Sequence, residues 1–397
     1  MPIAELTTDE VIEGPEGILA GRFRVQAIAC AFLGSQIYAG LMEQVADDIE
    51  NQGVFLRLLK GFESEPGRAA LALRLFGAVH KLVLDGSAPD LARFYPSAGG
   101  TDDAGERSEK AWPLFRAVVQ ANEKFCRKSL SQPPQTNEVG RCAALMPGFI
   151  QVYQQTGLPL RLLELGASAG LNLAWDHYCY ERNNGEVIGD MSSQLRFPSS
   201  WYPDGIDALI SPVSGASQVD GSAQIEMPPI ESRQGCDRTP LDISTREGQV
   251  TLASYVWPEQ IERFLRLRAA LDIAHAAKIK VTKADACEWL RARLRQHAEG
   301  VCRVIFHSIF IQYLTESDRK YLIEMITEAG HRARKEEPIA WLRMEPIDEG
   351  EKARKRANNT KWPIDRAQVR LSIWPGGGDF VIAAAGFHGQ PVELPPN

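Results

Sequence analysis

An α/β fold, with a seven-stranded, mostly parallel sheet covered by helices on both faces behind an all-helical N-terminal region, is predicted by three observations. From residue 160 onward, short apolar runs alternate with segments of helical periodicity. Between residues 18 and 130 apolar side chains recur at helical spacing alone, and the two regimes meet at a polar, proline-bearing stretch, Ser131 to Arg141 (SQPPQTNEVGR). A chain of 397 residues exceeds one typical domain, so the reading is a helical region over 1–140 and an α/β domain over 141–397.

In the first region, helices are expected over Phe23 to Met42, Ala69 to Leu84 and Trp112 to Leu130, with a polar loop, PSAGGTDDAGER, between the last two. A helix over Ala143 to Gln155, ended by Gly157 and Pro159, leads into the α/β domain. Seven strand candidates follow: LRLLEL (160–165), IESRQGCD, KIKVTKAD, RVIFHSIF, IAWLRME, VRLSIWP and DFVIAAAGFH. Helices at Pro258 to Ala277, Ala286 to His297 and Glu316 to Arg332 separate them, which implies parallel strands joined by crossovers. Residues 183–231 are rich in Gly, Ser, Pro and Asp and read as a loop-rich insertion with weak strand signals at EVIGD and DALIS. The charged run EGEKARKRANNTKW reads as a basic, solvent-facing loop.

Composition narrows the function. Apolar residues make up 44% and charged residues 24%, as in ordinary globular proteins. No apolar run of about 18 residues and no basic-then-apolar leader occurs, so neither a membrane span nor a signal peptide is expected, and the location is read as cytoplasmic. The seven cysteines form no CxxC pair and the seven histidines no HExxH, so no metal is expected. A net charge of −7 disfavours a nucleic-acid partner held by phosphate contacts and leaves a small molecule as the expected partner.

The segment Leu162 to Asn172 (LLELGASAGLN) places an acid, Glu164, near the end of a strand, then a small-residue turn, Gly166 to Gly170, that opens the next helix. Such a turn lets a ligand approach the backbone while amides at the helix start donate to it, although glycine also serves strand-to-helix turns for steric reasons alone. A second strand ends at Asp237, where a carboxylate either accepts from ribose hydroxyls or fixes a turn before Pro240. A third ends at Asp285, beside adenine or as an N-cap, and a fourth places His307 and Ser308 in an apolar run. Gln135, Thr136, Asn137, Glu138 and Arg141 precede the helix that leads to the first strand; they bind substrate or a cofactor carboxylate, with Arg141 the anion partner, or they cap and fix the loop.

In that order, LLELGASAG, GCDRTP, KADACEWL and RVIFHSIFIQYL resemble successive motifs of class I S-adenosylmethionine (SAM) dependent methyltransferases, a Rossmann-like family, over roughly residues 160–390. The resemblance implies SAM as cofactor, with Glu164, Gly166, Ser168, Gly170 and Asn172 under its methionine part, Asp237 on the ribose, Asp285 beside adenine and the fourth strand at the substrate. The chain departs from the pattern at Ser168, where a middle glycine is usual, and in its long insertion. SQPPQTNEVGR, ELGASAGLNL, SYVWPEQIERFLRLRAAL and HSIFIQYL also resemble, over nearly the full length, the bacterial family called domain of unknown function 2332, for which no activity is established.

The expected reaction is methyl transfer from SAM to a small acceptor, an in-line displacement that mainly requires alignment and exclusion of water. His307 is the candidate proton acceptor, and its alternative is a buried histidine satisfied by its neighbours. Two other readings stand beside this one: a non-catalytic binder or sensor on the same fold, and different chemistry such as that of a NAD-linked oxidoreductase or a lyase. The helical region is expected to cover the site, with Tyr38, Phe94, Tyr95 and Trp112 in a pocket or in the core. A valine at Gly166 is expected to block the pocket.

Overall fold

The structure is a computed structural model, and it describes residues 14–65, 70–102, 107–211, 225–347 and 366–395. In chain order come α1 (Gly14–Phe32), α2 (Gln36–Glu50), α3 (Val54–Leu59), α4 (Leu71–Leu84), α5 (Pro89–Ala92), α6 (Arg107–Ala121), α7 (Glu123–Leu130) and α8 (Arg141–Thr156). Then follow β1 (Leu160–Leu165), β2 (Cys179–Glu181), β3 (Val187–Gly189), β4 (Arg196–Phe197), α9 (Ile206–Ile210), β5 (Ile230–Asp237), α10 (Arg246–Ala253) and α11 (Ile261–Ala276). The chain continues through β6 (Val281–Lys283), α12 (Ala286–Leu294), β7 (Cys302–Ser308), α13 (Glu316–His331), β8 (Ile339–Pro346), β9 (Arg366–Trp374), β10 (Phe380–Gly386) and β11 (Val392–Glu393). The basic run 349–362, the centre of the 96–107 loop and residues 212–224 of the insertion lie outside the described residues.

The chain divides into two compact units, Met1–Thr136 with Ile243–Leu265, and Asn137–Asp242 with Arg266–Asn397. The helical unit thus draws in a segment that the expected boundary at 140 leaves out, and the reason is visible at α2. The apolar run Phe23 to Met42 breaks at Gly34, whose φ of +87° ends α1. The amides at the start of α2, Gln36 and Ile37, donate to the Glu259 carboxylate at 3.2–3.3 Å, a negative charge at a helix N-terminus. Trp257 packs into the same core as Tyr38 and Phe76, and Tyr38, Phe94 and Tyr95 are all buried there. His80 sits in this core with Nδ1 against the Ser254 carbonyl and Nε2 against the Ser97 hydroxyl; burial lowers its pKa to about 4, so it is neutral.

The second unit is built on eight strands, not seven, in the order β11-β10-β9-β8-β7-β1-β5-β6. The pairs β6-β5-β1-β7-β8 are parallel, and β9, β10 and β11 extend them as an antiparallel meander. The additional strand β11 is two residues long and follows a Gly-Gln-Pro turn, too short for a period-2 pattern to show. From β1 the chain runs outward to β5 and β6, then returns to β7 on the other side of β1. The carboxyl ends of β1 and β7 therefore form a topological switch point, where open α/β sheets bind ligands.

One face of the sheet is covered by α8, whose residues 142–152 are all buried. Gly148 allows this approach, because a Cβ there would lie 2.4 Å from Leu342 Cδ1. Phe149 stacks on Trp175 at 4.4 Å between ring centroids, a contact that contributes about 0.5–1.5 kcal/mol beyond area burial. On the other face, Leu163, Leu165, Ile305 and Trp341 pack with Leu290 of α12 and with Leu322 and Ile326 of α13.

Two local expectations change. The segment after Gly170 is not an α-helix: Leu171–His177 is a 3-10 stretch kinked at Ala174, and β2 follows it directly. The hydroxyls of Tyr178 and Tyr180 donate to the carbonyls of Leu171 and Trp175 at 2.6 and 2.7 Å, taking up acceptors that a continuing helix would use. The insertion is also more ordered than its composition suggests. EVIGD supplies β3 of a small sheet ordered β3-β2-β4, whereas DALIS forms α9.

Candidate functional site at the carboxyl ends of the parallel strands

The turn after β1 is held from below and from the side. Ser168 adopts φ +51°, a left-handed value rare for a non-glycine residue and the conformation that a glycine supplies elsewhere at no cost. Its amide donates to Asp237 Oδ2 at 3.0 Å, while Asp237 Oδ1 accepts from the Thr239 amide at 2.8 Å. Those two bonds fix the carboxylate at the tip of β5, half-buried and directly beside the turn. The amide of Leu171, the first of the 3-10 stretch, is taken by Asn137 Oδ1 at 2.8 Å. No helix start faces a ligand at this point.

Both glycines answer to packing. A Cβ on Gly170 would lie within 2.7–2.9 Å of Ile279 and Val281, and one on Gly166 would lie 2.4 Å from the ring of Phe310. The approach above Gly166 that the sequence left open for a ligand is filled in this conformation by Phe310. That ring is carried on a strained corner, since Ile309, a β-branched residue, has φ +51°. The corner is held by Glu345, whose Oε1 accepts from the amides of Phe310 and Ile311 at 2.9 and 3.3 Å.

On the α8 face, Glu164 is 2% exposed. Its Oε1 accepts from Asn172 Nδ2 at 3.3 Å and its Oε2 is buried without a partner, at a cost of about 1–3 kcal/mol for such a group. Burial raises its pKa from the ordinary 4.5 to about 8, with the Asn172 bond opposing and Asp237 adding to the rise. Asn172 Oδ1 is met by the Cys142 thiol at 3.2 Å. Arg141 donates from Nη1 to the Ser308 carbonyl at 3.3 Å and from Nε to the Phe387 carbonyl at 3.1 Å. Glu138 caps the Gly140 amide, and the backbones here are in close contact: a Cβ on Gly140 would lie 2.2 Å from the His388 carbonyl oxygen, and one on Gly389 would lie 1.9 Å from that of Gly140. Asn137, Glu138, Arg141, Glu164, Asn172 and Ser308 thus form one cluster around the ends of β1 and β7, and Ser168 and Asp237 form a second beside it.

The folded chain holds a proton on Glu164 that an unfolded chain releases above the ordinary glutamate range. Stability from this group is therefore complete below about pH 4.5 and declines as pH rises toward about 8. Glu164→Gln is expected to flatten that decline, and urea unfolding at pH 5 and pH 9 measures it. An unchanged decline in the variant would assign the pH dependence elsewhere.

Asp285 falls apart from these clusters. Asp285 is the N-cap of α12, accepting from the Cys287 and Glu288 amides at 3.0 and 3.3 Å, and it is paired with Arg238 at 2.8 Å. Burial works against its ionisation, but Arg238 and the two amides outweigh it and hold the carboxyl below its usual range. Asp176 and His177 meet Arg233, which makes a two-pronged contact to the Asp176 carboxylate at 2.8 and 2.7 Å. Gln135 and Thr136 belong to the helical unit, the first half-buried and the second exposed.

His307 is fully buried. Indole N–H only donates, so Trp341 Nε1 at 3.1 Å makes His307 Nε2 the acceptor and places the proton on Nδ1, which donates to Glu345 Oε1 at 2.6 Å. Both ring nitrogens are engaged, and none is turned to an acceptor substrate. Glu345 and Phe310 escaped the sequence reading. The available signal was a carboxylate at the end of the apolar strand IAWLRME, but nothing local says which turn it holds.

Among the described residues no group of three or more His, Cys, Asp or Glu side chains is placed to hold a metal ion, and no helix is long and apolar enough to cross a membrane. All seven cysteines are free and buried.

Fold and site together define an α/β protein with a mostly parallel sheet and a polar cluster at its switch point. The family model described as an uncharacterised protein conserved in bacteria, domain of unknown function 2332, matches residues 20–394, and the chain belongs to that family. No curated protein and no solved structure matches it.

Proposed function

We propose that this protein is a Rossmann-like, SAM-dependent methyltransferase acting on a small molecule. The observation that carries the reading is Asp237: a carboxylate at the tip of the strand next to β1, fixed by the Ser168 and Thr239 amides and still half-exposed, suits a pair of ribose hydroxyls. The Glu164 carboxyl, protonated and with Oε2 orphaned, can donate to the carboxylate at the amino-acid end of the same cofactor. Bound there, SAM would supply an electrophilic methyl group on sulfonium. The chain's own task is to align the acceptor and keep water out. With His307 engaged on both sides, the chemistry favours an acceptor that arrives already deprotonated.

Isothermal titration with SAM and S-adenosylhomocysteine, with NAD as control, tests the reading. Micromolar binding of either sulfur nucleotide supports it, and absence of binding to folded, ligand-free protein removes it. Because the Phe310 ring stands over Gly166, Phe310→Ala is expected to tighten S-adenosylhomocysteine binding several-fold in the same titration. Weaker binding would mean that the ring is part of the ligand's wall instead.

A second reading, a non-catalytic binder on this fold, is favoured by the same engaged histidine. Tight binding without turnover on any acceptor would select it.

A further inference from the structure

Toward the carboxyl ends of β7 and β8, the sheet face that packs on α12 and α13 turns from apolar to polar. His307, Arg343 and Arg370 stand in register across β7, β8 and β9, flanked by the Trp341–Ser372 and Glu345–Gln368 pairs. On the opposite face of the same strands lie Ala340, Leu342, Met344, Val369 and Leu371, all buried.

Within this polar stretch Arg343 Nη1, a donor, and Glu345 Oε2, an acceptor, are buried without partners. Their side chains are only 12% and 14% exposed. Other atoms of both side chains are engaged. Arg343 Nη2 donates to Asp379 Oδ2 at 2.7 Å, and its guanidinium lies 4.0 Å from the Trp341 ring centroid. Glu345 Oε1 takes the His307 ring and two backbone amides, so three donors crowd one oxygen and none meets the other. As alternate residues of one strand, Arg343 and Glu345 are about 6–7 Å apart along it.

We propose that Arg343 and Glu345 form a subsite for an amino-acid zwitterion, whose carboxylate takes the free guanidinium N–H and whose ammonium takes the free carboxylate oxygen. One molecule with both groups on the same carbon satisfies the orphaned donor and acceptor together and balances charge. If methyl transfer is the reaction, this subsite holds the acceptor, a statement that rests on the function proposed above; the binding itself does not.

The test is ligand-detected NMR on the full chain with L-alanine as probe, and with acetate and methylammonium as its two halves. Alanine is expected to bind at least tenfold tighter than either half, and Glu345→Gln to reduce alanine binding at least fivefold while leaving acetate unchanged. Arg343→Met should abolish both. Should that variant not fold, the comparison of the three probes on the native chain decides alone. Equal binding of acetate and alanine, or of lactate and alanine, overturns the proposal, as does no binding of alanine at all, which would leave ordered water to fill the two positions. Saturating S-adenosylhomocysteine should leave alanine binding unchanged, and displacement would mean that the site takes the cofactor's own amino-acid end, against the proposal. Failure of the sulfur nucleotide to bind would remove the methyltransferase reading and leave this measurement intact.

Discussion

Gly166→Val should destabilise the sheet unit by about 2–5 kcal/mol, the largest loss expected of any single substitution at the site. Two separate costs add. The backbone at 166 has φ +67°, which a β-branched residue adopts only at about 1–2 kcal/mol or more. The new side chain also enters the space of Phe310, whose ring lies 2.4 Å from the Cβ position, and overpacking of this kind costs about 1–3 kcal/mol. Urea denaturation separates them through a double-mutant cycle. In a Phe310→Ala background the valine should cost less, because only the dihedral part remains. An additive pair would show that the ring is not what the valine meets. The sequence alone suggested a blocked pocket with the helical region still folded; the geometry makes this a stability variant of the sheet unit first.

Asp237→Ala is expected to weaken SAM or S-adenosylhomocysteine binding by about a hundredfold or more in calorimetry. Hydrogen bonds to a charged acceptor are worth about 1.5–3 kcal/mol each, and two ribose hydroxyls would lose theirs. The substitution also releases the Ser168 and Thr239 amides, so a fall in melting temperature of a few degrees should accompany it. Unchanged affinity in a folded variant would sink the ribose role and, with it, the observation on which the proposed function stands.

How much of this was readable in the residues depends on how local the cause is. β1 and β5 were legible because a short apolar run ended by Gly166, and a run ended by Asp237, state their own limits. The cluster of Asn137, Glu138 and Arg141 was legible as a polar patch before a helix, though not its partners, which are chosen by tertiary contact. The stretch after Gly170 misled because Leu171, Ala174, Trp175 and Tyr178 do recur at helical spacing. All four are buried, so the pattern reports burial and not a helix face. His307 was legible as either base or buried residue, and only Trp341 and Glu345, distant in sequence and adjacent in the sheet, give its hydrogen bonding. Arg343 and Glu345 were hidden for a related reason. Their alternation with apolar neighbours in IAWLRME is what any half-buried strand shows, and the unusual fact is that both are nearly covered.

The close contact of Gly140 with Gly389, and the bond from Arg141 to the Phe387 carbonyl 246 residues away, join segments distant in the chain. A growing polypeptide makes residue 141 long before residue 387, so this arginine has to wait, without its carbonyl partner, through most of the synthesis of the sheet unit. Assembly around it is governed by a pairing of high contact order, which closes slowly. Ligand-binding competence should therefore be among the last properties a refolding chain regains, after helix content and after the bulk of the apolar core.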